Sequence, residues 1–197
     1  MKPFAQACEN NKNPILAILR EAFASARHVV EIGSGTGQHA VHFAASMPWL
    51  VWQPTDRAEH LPGIRLWVGE AALPNLLPPL ELDVDQPRWP VTQADAVFSA
   101  NTAHIMSWPQ VERMFARVGK LLEAGGTFAL YGPFNYNGRY TSASNADFDR
   151  FLRARDPASG LRDVEAIHEL ATSAGLVAVA DHAMPANNRT LVWRKGG

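Results

Sequence analysis

The chain has 197 residues, of which 47% are hydrophobic and 19% are charged, and its formal net charge is −1. These values are typical of one globular domain that buries a core without help from disulfides or metal ions. The charge balance, with no run of basic residues, argues against a nucleic acid as the main partner, because phosphate binding needs concentrated Lys and Arg.

Cysteine usage and hydropathy indicate the compartment. The only cysteine, Cys8, has no second cysteine with which to form an intramolecular disulfide, which fits a reducing cytosol. No apolar run approaches the ~20 residues of a membrane span, and no signal-peptide pattern is present. We therefore expect a soluble, cytoplasmic protein.

The first half of the chain alternates between helical and strand patterns. An apolar stripe predicts a helix at 15–26, with Pro14 in its first turn. The next predicted elements are a strand at 28–32, a helix at 37–46, a strand at 50–55, a helix at 66–72, and strands at 80–84 and 94–100.

The second half continues the alternation and ends in a hairpin. The predicted elements are a helix at 108–122, a strand at 127–131, a helix at 161–174, and strands at 176–180 and 190–193. Alternation of this kind predicts an α/β fold with a mostly parallel seven-stranded sheet, helices on both faces and an antiparallel last strand. No linker divides the sequence, so residues 1–197 are expected to form a single domain.

The most informative segment is the turn between the first strand and the helix that follows. It contains Gly33, Gly35 and Gly37, and glycine allows both a positive φ and close approach of a ligand to the backbone. The helix after it offers unpaired N–H groups. The dinucleotide fingerprint G-x-G-x-x-G needs its third glycine one position later, where this chain has Gln38. The segment therefore predicts a nucleotide site that differs from a dinucleotide site.

Glu31 precedes the first glycine by two residues and discriminates between ligands. A carboxylate at this position repels a pyrophosphate but suits the ammonium of an amino-acid moiety. The pattern E-x-G-x-G-x-G resembles motif I of the class I S-adenosylmethionine (SAM) methyltransferases, and this resemblance favours SAM over NAD. A purely structural tight turn is the alternative.

Two acids end the next predicted strands, at the sheet edge where open α/β folds bind ligands. Asp56 can accept both hydroxyls of a ribose, although a turn or an N-cap aspartate is the alternative. Asp83 can accept the exocyclic N–H of adenine while the backbone amide of Val84 faces the ring, and a turn aspartate is again the alternative.

Asn101 follows the fourth predicted strand, a position that usually borders both the methionine part of SAM and the acceptor. The N-P-P-Y tetrad of enzymes that methylate amino groups of nucleic acids is absent. His104 is a candidate base or acceptor-orienting group, and a buried core histidine is the alternative. His39 and His42 are three residues apart, but the lack of a carboxylate partner argues against a metal site.

The whole chain resembles the methyltransferase-like 26 family, a group with a class I SAM-methyltransferase fold. The resemblance rests on the segments 9–16, 31–39, 52–56, 82–84, 101–105, 131–134, 144–149, 160–163 and 184–188. It implies SAM binding by Glu31, Gly33, Gly35, Asp56 and Asp83, with Asn101 near the transferred methyl group. Asn10 stands where such proteins tend to carry Arg.

These arguments define three sets of predicted site residues and a helical segment at 1–27 that covers the cofactor site. The cofactor set is Glu31, Gly33, Ser34, Gly35, Gly37, Asp56, Arg57, Asp83, Val84 and Asn101. The catalytic set is His104, Asn101 and Tyr131, and the substrate set is Lys12, Asn135, Asn145, Asn187 and Asn188. Lys12 as a surface charge and Asn187–Asn188 as a hairpin turn are the alternatives.

The predicted function is methyl transfer from SAM to a small-molecule acceptor, with S-adenosylhomocysteine (SAH) as the second product. A thiolate, carboxylate or amine acceptor needs no strong base, whereas a hydroxyl needs one, and His104 is the candidate. Two alternatives are a non-catalytic SAM- or SAH-binding protein that acts in a complex and an NAD-dependent oxidoreductase. The sequence does not indicate the oligomeric state.

Overall fold

The computed structural model describes residues 2–197, in which short apolar strands alternate with amphipathic helices. The strands are β1 (His28–Ile32), β2 (Val51–Asp56), β3 (Leu80–Glu81), β4 (Ala94–Ala100), β5 (Leu122–Gly132), β6 (Phe134–Asn135), β7 (Arg162–Asp163), β8 (Leu176–Met184) and β9 (Asn188–Lys195). The helices are α1 (Gln6–Ala22), α2 (Gln38–Ser46), α3 (Leu61–Ala71), α4 (Trp108–Leu121), α5 (Ala143–Arg155) and α6 (Val164–Ser173).

Seven of these strands form the main sheet, in the order β3-β2-β1-β4-β5-β9-β8. The pairs β1–β2, β1–β4, β2–β3 and β4–β5 are parallel, and β9 is antiparallel to both β5 and β8. The predicted mostly parallel seven-stranded sheet with an antiparallel last strand is confirmed. The strand order reverses beside β1, so the carboxyl ends of β1 and β4 border a crevice.

Helices cover both faces of the sheet and bury one apolar cluster on each. One cluster joins α4 and α6 to the sheet and includes Phe115, Phe128 and Trp193. The other joins α1 and α2 to the sheet and includes Phe43 and Trp52. Burial of this kind supplies roughly 25 cal/mol per Å² of apolar surface, so the two clusters hold the strand ends in fixed positions.

The chain departs from the predicted elements most at α1 and α5. Helix α1 begins at Gln6, well before the predicted 15–26 segment, and Pro14 lies inside it rather than in its first turn. Helix α5 was not predicted at all. The polar first half of α1 has no apolar stripe, and its side chains instead make polar contacts with the start of α2.

Strands β6 and β7, which pair in a separate two-stranded sheet, were not predicted either, and the remaining differences are in element boundaries. Helix α3 starts before the predicted 66–72 segment, whereas α6 is shorter than the predicted 161–174 helix. Strand β3 covers less than the predicted 80–84, while β5, β8 and β9 all extend beyond their predicted limits. In the described part of the chain, no helix combines the length and the apolar character needed to cross a membrane.

Candidate functional site

The loop between β1 and α2 has three glycines with positive φ, and their surroundings are of two kinds. A Cβ on Gly33 would lie 2.6 Å from Thr102 Cγ2, and a Cβ on Gly37 would lie 3.2 Å from the Ile64 backbone. A Cβ on Gly35 would meet no atom within 4 Å. Gly33 and Gly37 therefore allow close packing, whereas Gly35 leaves open space beside the loop.

Asp56 ends β2 and faces this loop. Its Oδ2 accepts a hydrogen bond from the Gly35 N–H at 2.6 Å, and its Oδ1 accepts one from the Arg57 N–H at 2.8 Å. Burial raises the pKa of the Asp56 carboxyl, and the two backbone donors oppose that rise. An ionised carboxylate has about four acceptor positions, so Asp56 keeps capacity for further donors.

A cavity of ≈ 440 Å³ lies at the carboxyl ends of β1 to β4. Its apolar walls include Ile32 and Leu82. The predicted cofactor residues that line it are Gly33, Ser34, Gly35, Asp56, Arg57, Asp83, Val84 and Asn101. These residues come from four separate segments, so the fold brings together most of the set that the sequence indicated.

Glu31 and Gly37 belong to the predicted cofactor set but do not line this cavity. Glu31 is 1% exposed, and its Oε2 accepts hydrogen bonds from Trp52 Nε1 at 3.0 Å and Ser34 Oγ at 2.9 Å. Burial raises the pKa of Glu31 to about 7, and the negative charge of Asp56 adds to the effect. Glu31 therefore supports the glycine loop from the protein interior, through its hydrogen bond from Ser34.

The N-terminal segment forms another wall of the cavity through Ala5, Ala7 and Cys8. Gln38 ties this segment to the loop: its Oε1 accepts from the Ala5 N–H at 2.7 Å, and its Nε2 donates to Glu9 Oε1 at 2.7 Å. The substitution of a third fingerprint glycine by Gln38 thus has a structural consequence. It supplies the side chain that holds α1 against the start of α2.

The predicted catalytic residues lie near one another, but only Asn101 lines the cavity. Asn101 has φ +58 and its N–H donates to the Tyr131 carbonyl at 2.8 Å. His104 is 6% exposed, and burial together with the nearby Arg162 charge lowers its pKa to about 4. A Cβ on Gly132 would lie 3.6 Å from His104 Nδ1 and 4.0 Å from Asn101 Oδ1.

A buried polar network beside the cavity was not predicted. His39 lines the cavity and its Nε2 lies 2.7 Å from Asn11 Oδ1. Burial raises the pKa of the Tyr131 phenol, and the nearby Asn11 side chain opposes that rise. Burial lowers the pKa of His39 to about 4, so its imidazole is neutral at pH 7. The position of His39 two residues after Gly37 was the sequence feature that could have indicated its place beside the cavity.

The predicted substrate residues do not line the cavity. Lys12 forms an ion pair with Glu9 on its own helix. Asn145 and Asn187 are brought together, because Asn145 Nδ2 donates to the Asn187 carbonyl at 3.1 Å. Asn188 Nδ2 donates to the Pro185 carbonyl at 3.1 Å. Their roles toward an acceptor stay predictions.

Asn135 and the acidic and histidine side chains remain to be placed relative to the cavity. The Oδ1 of Asn135, also in the predicted substrate set, is buried and has no hydrogen-bond partner among residues 2–197. Over the same residues, His, Cys, Asp and Glu side chains form no group of three that is arranged to hold a metal ion. The His39 Nε2 contacts Asn11 Oδ1, whereas the buried His42 Nε2 has no hydrogen-bond partner among the described residues.

Comparison with known families covers nearly the whole sequence. Residues 2–195 match the family described as "Protein of unknown function (DUF938)". The chain belongs to the DUF938 family. Because the match includes the glycine loop, Asp56 and the β4–α4 loop, the cavity described above lies within the family region.

The DUF938 chain is similar in fold to solved structures that include two O-methyltransferase family proteins and PigF. An O-methyltransferase family protein from Burkholderia thailandensis superposes with a TM-score of 0.83 at 19% identity, over 94% of this chain and 56% of that one. An O-methyltransferase family 2 protein from Planctomyces limnophilus, in complex with apigenin, gives 0.85 at 17% identity, over 96% and 58%. PigF with SAH gives 0.81 at 15% identity, over 95% and 56%.

These similarities establish the fold. The DUF938 chain has the class I SAM-methyltransferase fold that was predicted, and it spans a little over half the length of the matched chains. The part that it shares with them contains the sheet and the cavity at its carboxyl edge.

Proposed function

We propose that this DUF938 protein is a SAM-dependent methyltransferase that acts on a small-molecule acceptor. The observation that carries the proposal is the cavity at the carboxyl edge of the sheet, which is lined by Gly35, with open space at its Cβ position, and by the Asp56 carboxylate, which keeps acceptor capacity beside its bond from the Gly35 N–H. The fold of the matched structures, one of them PigF with SAH, supports the same assignment.

The residues of the cavity fit the chemistry of an adenosyl ligand. Asp56 would accept hydrogen bonds from ribose hydroxyls, with acceptor capacity left over from its two backbone donors. Asp83 and the Val84 backbone would contact the adenine edge, and the apolar side chains of Ile32 and Leu82 suit the faces of an aromatic ring. Ser34 and Asn101 would border the amino-acid part.

The charges in the cavity favour this ligand over a dinucleotide. Asp56 and Asp83 both line it, and carboxylates repel phosphate groups. Arg57 also lines the cavity, but its guanidinium pairs with Glu59 at 2.8 Å. An adenosyl ligand with a sulfonium and an ammonium has the opposite charge, so the electrostatic preference runs toward SAM.

The acceptor would bind next to Asn101, on the side of Gly132 and His104. SAM supplies an electrophilic methyl group, so the protein mainly aligns the acceptor and excludes water. A neutral His104 would accept a hydrogen bond from an O–H or N–H of the acceptor. In this proposal the polar rim consists of Lys12, Asn135, Asn145, Asn187 and Asn188.

We also propose that the protein falls with the methyltransferase-like 26 proteins, on the segments that resemble that family. A non-catalytic SAM- or SAH-binding protein is the second candidate. It is favoured by one observation: His104 and Tyr131, two of the three predicted catalytic residues, do not line the cavity.

Titration calorimetry with SAM, SAH and NAD tests the cofactor assignment. We expect SAM and SAH to bind and NAD not to bind. In Asp56→Asn we expect the Kd for SAM to rise by about 10- to 100-fold, since hydrogen bonds to charged groups contribute about 1.5–3 kcal/mol. Asp95→Asn is the matched control, because Asp95 accepts backbone N–H groups of Arg27 and His28 where β1 begins.

Transfer is tested separately, with methyl-labelled SAM and an extract of small metabolites. Label in a metabolite together with SAH release supports the enzyme, whereas binding without transfer supports the non-catalytic candidate. Tight NAD binding without SAM binding would overturn the proposal.

A further inference from the structure

Four consecutive backbone carbonyls of the loop after β4 are held by one short segment before α6. The Ala103 carbonyl accepts from Arg162 Nε at 3.1 Å, and the Met106 carbonyl accepts from Arg162 Nη2. Between them, the His104 carbonyl accepts from the Gly160 N–H at 2.9 Å, and the Ile105 carbonyl from Ser159 Oγ at 3.0 Å. We call residues 159–162 the loop clamp.

The loop held by this clamp forms part of the cavity wall. Thr102, Ile105 and Met106 line the cavity. The Ile105 side chain is 56% exposed, so apolar packing does not fix its position. Thr102, Ala103 and His104 are buried, so the hydrogen bonds to the clamp fix mainly the exposed end of the loop, at Ile105.

Arg162 contributes a geometry that another cation does not have. Its guanidinium donates to the carbonyls of Ala103, Met106 and Ala158 and lies 5.8 Å from the Trp108 ring centroid. A guanidinium presents five donors in a rigid plane, whereas an ammonium is a compact point charge. Burial lowers the pKa of Arg162, so its position has a desolvation cost that these contacts offset.

The loop clamp is itself fixed by α5. The Leu161 N–H donates to Asp149 Oδ1 at 2.7 Å, and Asp149 also accepts from Arg153 Nε at 2.8 Å. Gly160 has φ +145, and a Cβ there would lie 2.6 Å from Arg153 Nη2 and 2.8 Å from Asp149 Oδ1. Only glycine satisfies both the backbone angle and the available space.

We infer that Arg162 is a positioning residue for the cofactor: it holds the 102–106 loop in the shape that completes one wall of the SAM cavity. This inference rests on the proposed function for its ligand. Arg162 touches neither the cavity nor the reacting groups, so it acts through the loop. The planar arrangement of its N–H donors, rather than its charge, holds the loop in this shape.

The test compares Arg162→Met, Arg162→Lys and the control Arg150→Met. Arg150 is a matched control because it is an exposed arginine on α5 that pairs only with Asp147 among the ion pairs of residues 2–197. We measure the Kd for SAM by calorimetry, the melting temperature, and hydrogen exchange of the Ile105 and Met106 amides. Both amides donate to the Thr102 carbonyl, at 3.0 and 3.1 Å.

We expect Arg162→Met to raise the Kd for SAM about tenfold, because about 1.4 kcal/mol corresponds to tenfold and each charged hydrogen bond contributes about that much. Exchange at Ile105 and Met106 should accelerate while exchange in β5 and β9 stays unchanged. Arg162→Lys should behave like Arg162→Met, and Arg150→Met like the wild type.

Three results would overturn the inference. They are an unchanged Kd in Arg162→Met, full recovery in Arg162→Lys, and faster exchange throughout the sheet, which would indicate general destabilisation. If the wild type binds neither SAM nor SAH, the proposed function fails. Hydrogen exchange of the Ile105 and Met106 amides in Arg162→Met then still decides whether Arg162 holds the 102–106 loop.

Discussion

Gly33 lies so close to Thr102 that a Cβ on the glycine would be 2.6 Å from the threonine Cγ2. The contact joins the loop after β1 to the loop after β4, the two segments that border the cavity at the reversal of strand order. Gly35, two residues later, has no atom within 4 Å of the corresponding position. One motif therefore contains a glycine required for close packing and a glycine beside open space in the cavity.

Alanine substitutions should separate these two roles. Gly33→Ala forces a steric overlap at φ +74, so we expect a loss of stability, measured as a melting temperature several degrees lower. Gly35→Ala meets only the backbone strain of a positive φ, about 1–2 kcal/mol. It should fold and lose SAM affinity, measured by calorimetry, because its methyl group projects into the cavity.

Gly125→Ala is the control for backbone strain. Gly125 has φ +81, a Cβ there meets no atom within 4 Å, and it lies between the paired residues Leu122 and Thr127 of β5, outside the cavity lining. It should reproduce the stability change of Gly35→Ala without the change in affinity. Equal SAM affinities in the Gly35 and Gly125 variants would show that Gly35 does not face the ligand.

Glu31 should give the protein a distinctive pH dependence. Its pKa in the folded state is about 7, against 4.5 ordinarily, so between these values the folded state binds more protons than the unfolded state. The free energy of unfolding contributed by Glu31 is therefore fully present below pH 4.5 and falls as the pH rises through 7. The full change is on the order of 3 kcal/mol.

Glu31→Gln should remove this contribution. The difference in unfolding free energy between Glu31→Gln and the wild type, measured by urea denaturation at pH 5, 6, 7 and 8, should shift in favour of the variant as the pH rises. Glu123→Gln, at an exposed position, should show no such trend. A pH-independent difference for Glu31→Gln would contradict the raised pKa.

The sheet and most of the cavity could be predicted because both depend on local patterns. The apolar patterns of residues 28–32 and 94–100 predicted β1 and β4 with the bounds that the structure has. Asp56 ends β2 and Asp83 follows β3, two neighbouring parallel strands whose carboxyl ends meet at one edge. Positions relative to a strand end carry three-dimensional information in a parallel sheet. The location of such a residue at the sheet edge can therefore be inferred from the sequence without knowledge of tertiary contacts.

The unpredicted parts depend on contacts between distant segments. Helix α5 buries a single apolar side chain, Leu152, and its buried Asp149 is held by Arg153 and the Leu161 N–H. The early start of α1 depends on contacts of Asn11 with His39 and of Glu9 with Gln38. The hydrogen bonds that Glu31 accepts from Trp52 and Ser34 were not predicted, and its contact with a ligand stays a prediction.

His104 should affect turnover without affecting cofactor binding. It lies beside Asn101 but outside the cavity lining, so His104→Ala should keep the wild-type Kd for SAM. Transfer of label from SAM to the acceptor should fall, because the acceptor loses a hydrogen-bond partner. Equal turnover in wild type and variant would place the acceptor elsewhere.

The pKa of His104 also predicts an effect on acid stability. In the folded state it is about 4, against 6.5 ordinarily, so the unfolded state binds more protons between these values. The stability contributed by His104 is thus present above pH 6.5 and lost as the pH falls toward 4. The difference in melting temperature between His104→Ala and the wild type should therefore shrink from pH 7 to pH 4.5.

Gln38 and Cys8 can report on the wall of the cavity that the N-terminal segment forms. Gln38 holds the segment through the Ala5 N–H and Glu9, whereas Cys8 lines the cavity from that segment. Burial raises the pKa of the Cys8 thiol, which keeps it protonated and slow to react at pH 7. Because Cys8 is the only cysteine in the chain, alkylation reports on this wall alone.

Gln38→Ala should free the segment, so that iodoacetamide modifies Cys8 several times faster than in the wild type. Saturating SAM should slow the reaction in the wild type, because the ligand occupies the space that the thiol faces. Gln93→Ala, at an exposed position, is the matched control and should react at the wild-type rate. If Gln38→Ala leaves the rate unchanged, contacts other than this side chain hold α1 over the cavity, since α1 also packs its apolar face on α2 and β5.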